Sequence, residues 1–205
     1  CYIFPGSGVN LEYFEYKKLK NNKKCTFTYI GRLLKSKGIN YFLNTIKLYF
    51  NNTNNIEFCI LGEFENINDF DYNLFNELKN SKKIIHYNHH DDIRKIIYKS
   101  DCIVLPSYRE GTSKVLLESM SCGRPIITSN VPGCDHLVNN NLNGFLCDIN
   151  DLSSLKNAIL KFESLNSDSR QKMSTNCRKF VESNFDENLV INNYCDIIKK
   201  LDEHK

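Results

Sequence analysis

An α/β fold with a doubly wound parallel sheet of about six strands is what this sequence predicts, and three observations carry it. Short apolar runs alternate with stretches of helical period from Cys25 to Glu163, which is the pattern of βα units on a parallel sheet. The run Cys102-Ile103-Val104-Leu105-Pro106 reads as a strand buried on both faces and ended by proline. Beyond Glu163 two helical patterns follow with no strand between them. Sheet first and helices last makes a Rossmann-like domain with a helical C-terminal tail.

The elements follow in order. Strands are expected near 25–31, 56–61, 83–86, 101–105, 125–128 and 144–147, and helices near 37–50, 67–80, 90–99, 113–122 and 151–163. In the first helix Tyr41, Phe42, Thr45, Ile46 and Tyr49 form one face at helical spacing. Val115, Leu116, Leu117 and Met120 give the fourth helix its apolar spacing. Asp151 stands where an N-cap belongs for the fifth. The tail helices are expected near 168–183 and 186–201.

A chain of 205 residues can bury a substantial core and fits one domain, with two allowed on length alone. It begins at Cys1 without an initiator methionine, the expectation for a piece of a longer protein. No run of about eighteen apolar residues occurs in it, and no signal-peptide pattern is visible in these residues, the true N-terminus being absent from them. Its formal net charge of +3 is too small to make nucleic acid the main partner. The basic run Lys17-Lys18-Leu19-Lys20-Asn21-Asn22-Lys23-Lys24 reads as a solvated loop, with peripheral attachment to an anionic membrane the alternative. Nine cysteines, an odd number with no C-x-x-C pair, fit a reducing cytoplasm better than a disulfide framework or a zinc site. Cys25, Cys59, Cys102 and Cys147 lie in or beside strands, where a free cysteine acts as a small hydrophobe.

The segment Arg109-Glu110-Gly111-Thr112-Ser113-Lys114-Val115-Leu116-Leu117-Glu118-Ser119 carries the chemistry. It takes the chain from a buried strand through a glycine turn into a helix whose first N–H groups lack partners and carry partial positive charge. Such an end suits a phosphate. Glu118 lies roughly 7–8 Å along the axis at 1.5 Å per residue, where its carboxylate can accept hydrogen bonds from a ribose diol. Glu110 sits in the turn, facing whatever lies beyond the phosphate. Gly111 permits close approach of a ligand, and Thr112 and Ser113 offer hydroxyl and N–H groups. Arg32 and Lys37 follow the first strand, where doubly wound sheets place their ligands. Together they can neutralise a diphosphate, each charge-assisted hydrogen bond contributing about 1.5–3 kcal/mol. The arrangement suits a sugar nucleotide.

The Glu110–Glu118 pair, followed by Ser119-Met120-Ser121-Cys122-Gly123-Arg124-Pro125-Ile126-Ile127, resembles the E-x7-E segment of retaining GT-B glycosyltransferases. Within them it is most similar to the GT4, or glycosyl transferases group 1, family. Tyr29-Ile30-Gly31-Arg32-Leu33 with Lys37-Gly38 resembles that family's first strand and loop, and Cys59-Ile60-Leu61-Gly62 its second strand. Val131-Pro132-Gly133 with Asn143-Gly144-Phe145-Leu146 resembles its "GG…NGfLv" segment. The resemblance implies that Arg32 and Lys37 bind the diphosphate and that Glu118 binds the ribose. It implies that Glu110 positions the donor sugar and stabilises charge rather than acting as a covalent nucleophile. Tyr87 or neighbouring backbone groups would meet the nucleobase.

The resemblance also implies the organisation. Phe4-Pro5-Gly6-Ser7-Gly8-Val9-Asn10 resembles the linker between the two GT-B domains. Residues 1–24 are then linker and lead-in, 25–183 the nucleotide-sugar domain, and 184–205 a helix crossing back to an absent N-terminal acceptor domain. Thr112-Ser113-Lys114 departs from the common "FGL" of the family and is closer to a subgroup reading "EGLPRVLLEA", whose donors are often UDP-linked amino sugars. Lys114 would add charge near such a donor. His86-Tyr87-Asn88-His89-His90-Asp91-Asp92 has no spacing suited to zinc. Asp69-Phe70-Asp71 matches Asp-x-Asp only formally, so no metal or other cofactor is expected.

Two function classes fit. One is a cytoplasmic enzyme, at the inner membrane face if the basic run docks there, that transfers the sugar of a UDP-sugar to a glycan or lipid-linked acceptor with retention. The other is a nucleotide-binding module without transferase activity. A further GT-B enzyme, such as a sugar-nucleotide epimerase or a phosphorylase, is a weaker third. The joint presence of Arg32, Lys37, Glu110 and Glu118 favours the first.

Overall fold

A computed structural model describes residues 6–50, 55–64 and 70–202. Phe4, Pro5 and Asp69 of the motifs above lie outside them. Six strands, β1 (Cys25–Ile30), β2 (Ile56–Leu61), β3 (Ile84–Tyr87), β4 (Cys102–Leu105), β5 (Ile126–Ser129) and β6 (Gly144–Cys147), form one sheet in the order β3-β2-β1-β4-β5-β6. All neighbouring pairs are parallel. Every residue of β1, β4 and β5 is buried, the expected state of central strands covered on both faces. The helices are α1 (Ile39–Tyr49), α2 (Tyr72–Asn80), α3 (Arg94–Ile97), α4 (Lys114–Ser121), α5 (Leu152–Glu163), α6 (Ser167–Asn184) and α7 (Glu187–Asp202).

Local chemistry sets several boundaries. Asp151 caps α5 by accepting hydrogen bonds from the N–H groups of Ser153 (2.9 Å) and Ser154 (3.2 Å), as its position predicted, and such a cap contributes about 1 kcal/mol. Asp71 and Asn166 cap α2 and α6 in the same way. The helix expected over 90–99 shrinks to α3. Before it, His90 Nδ1 accepts the Asp92 N–H and the Asp92 carboxylate takes both the N–H and the guanidinium of Arg94. These local bonds hold a turn where the apolar period suggested a helix. In α1 the predicted face is buried at Tyr41, Phe42, Thr45 and Ile46, but Tyr49 is exposed. It stands in the last turn of the helix, with Lys156 over its ring.

The lead-in is packed from Val9 onward. Val9 and Phe14 are buried, and the Val9 N–H donates to the Phe185 carbonyl while the Glu187 N–H donates to that of Val9. Arg124, only 1% exposed, spends its guanidinium on the carbonyls of Ile97, Lys17, Cys122, Gly123 and Tyr98. Arg178 does the same for Leu11, Phe14 and Ser121. A cation withdrawn from water is tolerated only when its donors are met, so buried Arg124 and half-buried Arg178 tie the lead-in to α4 and α6. In α7, by contrast, Val190 is buried while Leu189, Ile191, Ile198 and Leu201 are exposed. The cysteines of the described residues are free, and all but Cys195 are buried. No described helix is long and apolar enough to cross a membrane.

Candidate functional site

The strand order reverses at β1. Chain leaving β1 toward β2 and chain leaving β4 toward β5 diverge, and the crevice between their carboxyl ends is where open α/β sheets bind ligands. Into this crevice the sequence delivers Arg32 to Gly38 after β1 and Pro106 to Ser113 after β4.

The two loops are joined closely. A Cβ on Gly38 would fall 1.9 Å from the Pro106 carbonyl oxygen, and its φ is +75°, so only glycine fits. The Tyr108 N–H donates to the Ser36 carbonyl at 3.0 Å. Across this seam Lys37 Nζ lies 2.8 Å from both carboxylate oxygens of Glu110. Ser107 Oγ donates to Glu110 Oε1 at 2.7 Å. The Glu110 side chain is 10% exposed and that of Lys37 24%, so the pair is largely shielded from solvent. From the other flank the Glu110 turn rests on Gly133, where a Cβ would come within 2.1 Å of the Gly111 carbonyl oxygen and 2.2 Å of that of Glu110.

Beneath the pair Tyr29 is fully buried, and its hydroxyl donates to the Arg32 carbonyl at 2.8 Å. Burial first, and the Glu110 charge second, push its phenol far above the ordinary range, so it stays a neutral donor that fixes the loop carrying Arg32. Arg32 itself is exposed.

Gly111 faces open space, with nothing near its position for a Cβ. Thr112 is half-buried against Gly6. Ser113 is buried as the N-cap of α4 but makes no side-chain cap bond, leaving the first N–H groups of the helix to other partners. Lys114 is exposed in the first turn, and Val115 packs against the core. Glu118, the fifth residue of α4, is half-buried. Burial pushes its carboxyl up to about 7, partly offset by the Lys114 charge. Among the described residues no hydrogen bond or ion pair holds it.

Tyr87 ends β3 half-buried, its carbonyl accepting the Gly62 N–H at 3.0 Å, while His86 Nε2 meets the Gly62 carbonyl at 2.9 Å. The histidines of that turn go separate ways. His86 packs on Phe64 and Phe75, and His89 lies between Glu63 and Asp91 at the surface.

The sequence thus brings Lys37, Glu110 and the start of α4 together at one crevice. It missed Ser107, Tyr29 and the direct pairing of Lys37 with Glu110. Nothing in the periodicity marks a serine after a strand-ending proline as a partner for a carboxylate three residues on.

A profile of the family described as Glycosyl transferases group 1 matches residues 12–180. The chain belongs to the glycosyl transferases group 1 family. A UDP-Gal:alpha-D-GlcNAc-diphosphoundecaprenol alpha-1,3-galactosyltransferase of Escherichia coli is 34% identical over 191 residues, which are 91% of this chain and 46% of that protein. The chain spans about half the length of the curated relatives it matches. The fold matches the crystal structure of the C-terminal domain of a glycosyl transferase group 1 protein from Francisella tularensis, at TM-score 0.73 and 20% identity, over 87% of this chain and 99% of that one. Anabaena HepE, crystallised in complex with UDP, has TM-score 0.82 at 16% identity, over 94% of this chain and 56% of its own. The group 1 chain described here therefore has the architecture of the C-terminal domain of a GT-B glycosyltransferase.

Proposed function

We propose that this domain binds a UDP-sugar and, together with an N-terminal acceptor domain, transfers the sugar with retention to a glycan or lipid-linked acceptor. The observation that carries the reading is the meeting of Lys37 and Glu110 at the switch point of the sheet, beside the side-chain-uncapped start of α4. A nucleotide diphosphate lies across this crevice. Its phosphates take the α4 N–H groups, Lys37 and Arg32; its ribose diol donates to Glu118; its base meets the end of β3 at Tyr87. The sugar extends over Gly111 to Glu110. Thr112 and Ser113 hydrogen-bond the sugar and phosphate, Lys114 adds charge, and Val115 supports the turn from the core.

Catalysis in this arrangement is electrostatic. As the bond from sugar to diphosphate lengthens, negative charge grows on the leaving phosphate, where Lys37, Arg32 and the helix end are already oriented. Positive character grows on the sugar, where Glu110 stands. Both effects strengthen in the transition state and so act on rate.

UDP and a lipid-linked sugar stand in the name of the E. coli relative, and UDP in the HepE complex. They support uridine and a lipid-linked glycan as the donor base and acceptor class. The amino sugar rests on the resemblance around Lys114, and the galactose of the E. coli relative is its competitor. Residues 184–205 cross to the N-terminal domain through the exposed apolar face of α7, and the protein works at the cytoplasmic side of the membrane. Calorimetry with UDP, GDP and ADP tests the donor assignment. UDP is expected to bind most tightly, and a preference for GDP or ADP overturns it.

A further inference from the structure

We propose that Ser107 is a positioning residue for Glu110, keeping its carboxylate aimed at the donor sugar once Lys37 turns to the diphosphate. The proposal rests on the donor-site reading above. In the free domain Glu110 has two anchors, and they differ in kind. Lys37 ends a flexible stem, and its ammonium is a strongly hydrated point charge with three donors that can be reoriented. Two of its contacts reach Glu110. An arriving diphosphate carries more negative charge than one carboxylate and draws those donors away.

Ser107 cannot follow. It is fully buried on backbone held from three directions: the Pro106 carbonyl lies against Gly38, the Tyr108 N–H is bound to Ser36, and the Leu105 carbonyl accepts from Thr128 at 2.7 Å. Its hydroxyl has a single hydrogen. Besides Glu110 Oε1 at 2.7 Å, the acceptor in reach is the Ser36 carbonyl at 3.3 Å. The contact to the carboxylate has the ordinary length of a hydroxyl hydrogen bond and the one to Ser36 exceeds it, so the single hydrogen is directed at Glu110. One carboxylate oxygen is thereby fixed to the β4 loop, and the other is released to the substrate as Lys37 leaves.

The test uses the full-length enzyme, with UDP release from UDP-galactose or UDP-N-acetylglucosamine, whichever the wild type cleaves. Ser107→Ala is expected to lower kcat about 10- to 100-fold, the scale of a displaced catalytic group, with KM and UDP affinity unchanged. Ser107→Cys keeps nearly the same volume but is a weak donor, and it should behave like the alanine variant. In a Glu110→Ala background Ser107→Ala should change nothing further. A serine that merely packs the loop would lower the rate in both backgrounds, and that additive result overturns the proposal. So does full kcat in Ser107→Ala and Ser107→Cys when Glu110→Ala is impaired. If Glu110→Ala itself keeps full rate, or neither donor is cleaved, the donor-site reading falls and the proposal with it.

Discussion

The Lys37 ammonium is 2.8 Å from both oxygens of the Glu110 carboxylate, so two groups intended for different parts of one donor neutralise each other in the free domain. A half-buried pair of this kind gains from attraction and loses from desolvation. The pair itself carries no net charge. A diphosphate reverses that by offering Lys37 a stronger partner.

The two members of the pair should therefore respond differently. Lys37→Ala is expected to weaken UDP binding by about 1.5–3 kcal/mol, the range for a charge-assisted hydrogen bond. Glu110→Gln should leave UDP affinity unchanged or slightly raised, because it frees the lysine, while lowering the rate of the full-length enzyme. Titration calorimetry with UDP checks both, and lost UDP binding in Glu110→Gln would reverse the placement of the donor.

Glu118 gives the site a pH dependence. Its carboxyl is pushed from 4.5 up to about 7 by burial, and a ribose diol donates best to the ionised form. UDP affinity is expected to fall as pH drops through about 7, with proton release on binding near neutrality, read by calorimetry in buffers of different ionisation enthalpy.

The same group acts on stability with the opposite sense. The folded state holds this proton more tightly than the unfolded state, so the group's contribution to stability is full below 4.5 and lost as pH rises through about 7. Glu118→Gln should raise Tm relative to wild type at pH 8 more than at pH 5 while weakening UDP, and an equal effect at both pH values would contradict the assignment.

Gly133→Ala tests the support under the Glu110 turn. With φ at +90° and carbonyl oxygens 2.1 and 2.2 Å from the new Cβ, the turn must move. Strain of this kind costs about 1–3 kcal/mol, seen as a lowered Tm, and the displaced Glu110 should lower kcat as well.

Adding EDTA should leave UDP affinity unchanged, because Lys37, Arg32 and the start of α4 supply the positive charge in the proposed site. A loss of UDP binding on chelation, measured by titration, would assign that charge to a metal.

The fold was legible because its signals are periodic. Each strand of the sheet lies within one residue of its expected span at either end, since continuous apolar runs between glycine and polar turns leave a buried parallel strand little freedom. The apolar period failed at α3, where Asp92 and His90 redirect the backbone through bonds that periodicity does not register. The site was legible as a set of residue types at loop positions, but its internal wiring was not. Whether Lys37 meets solvent, phosphate or Glu110 depends on how closely the loops after β1 and β4 approach. That approach is decided by Gly38 against Pro106, contacts with no sequence period.

The tie between Val9 and the backbone on either side of Asp186 gives the domain a mechanical character. Gly8 lies against Glu187, so the stretch from Gly6 to Val9 and the start of α7 are pinned side by side, like a door to its post. The same stretch touches the crevice, since Gly6 rests on Thr112, and a pull on the tie would reach the loop after β4.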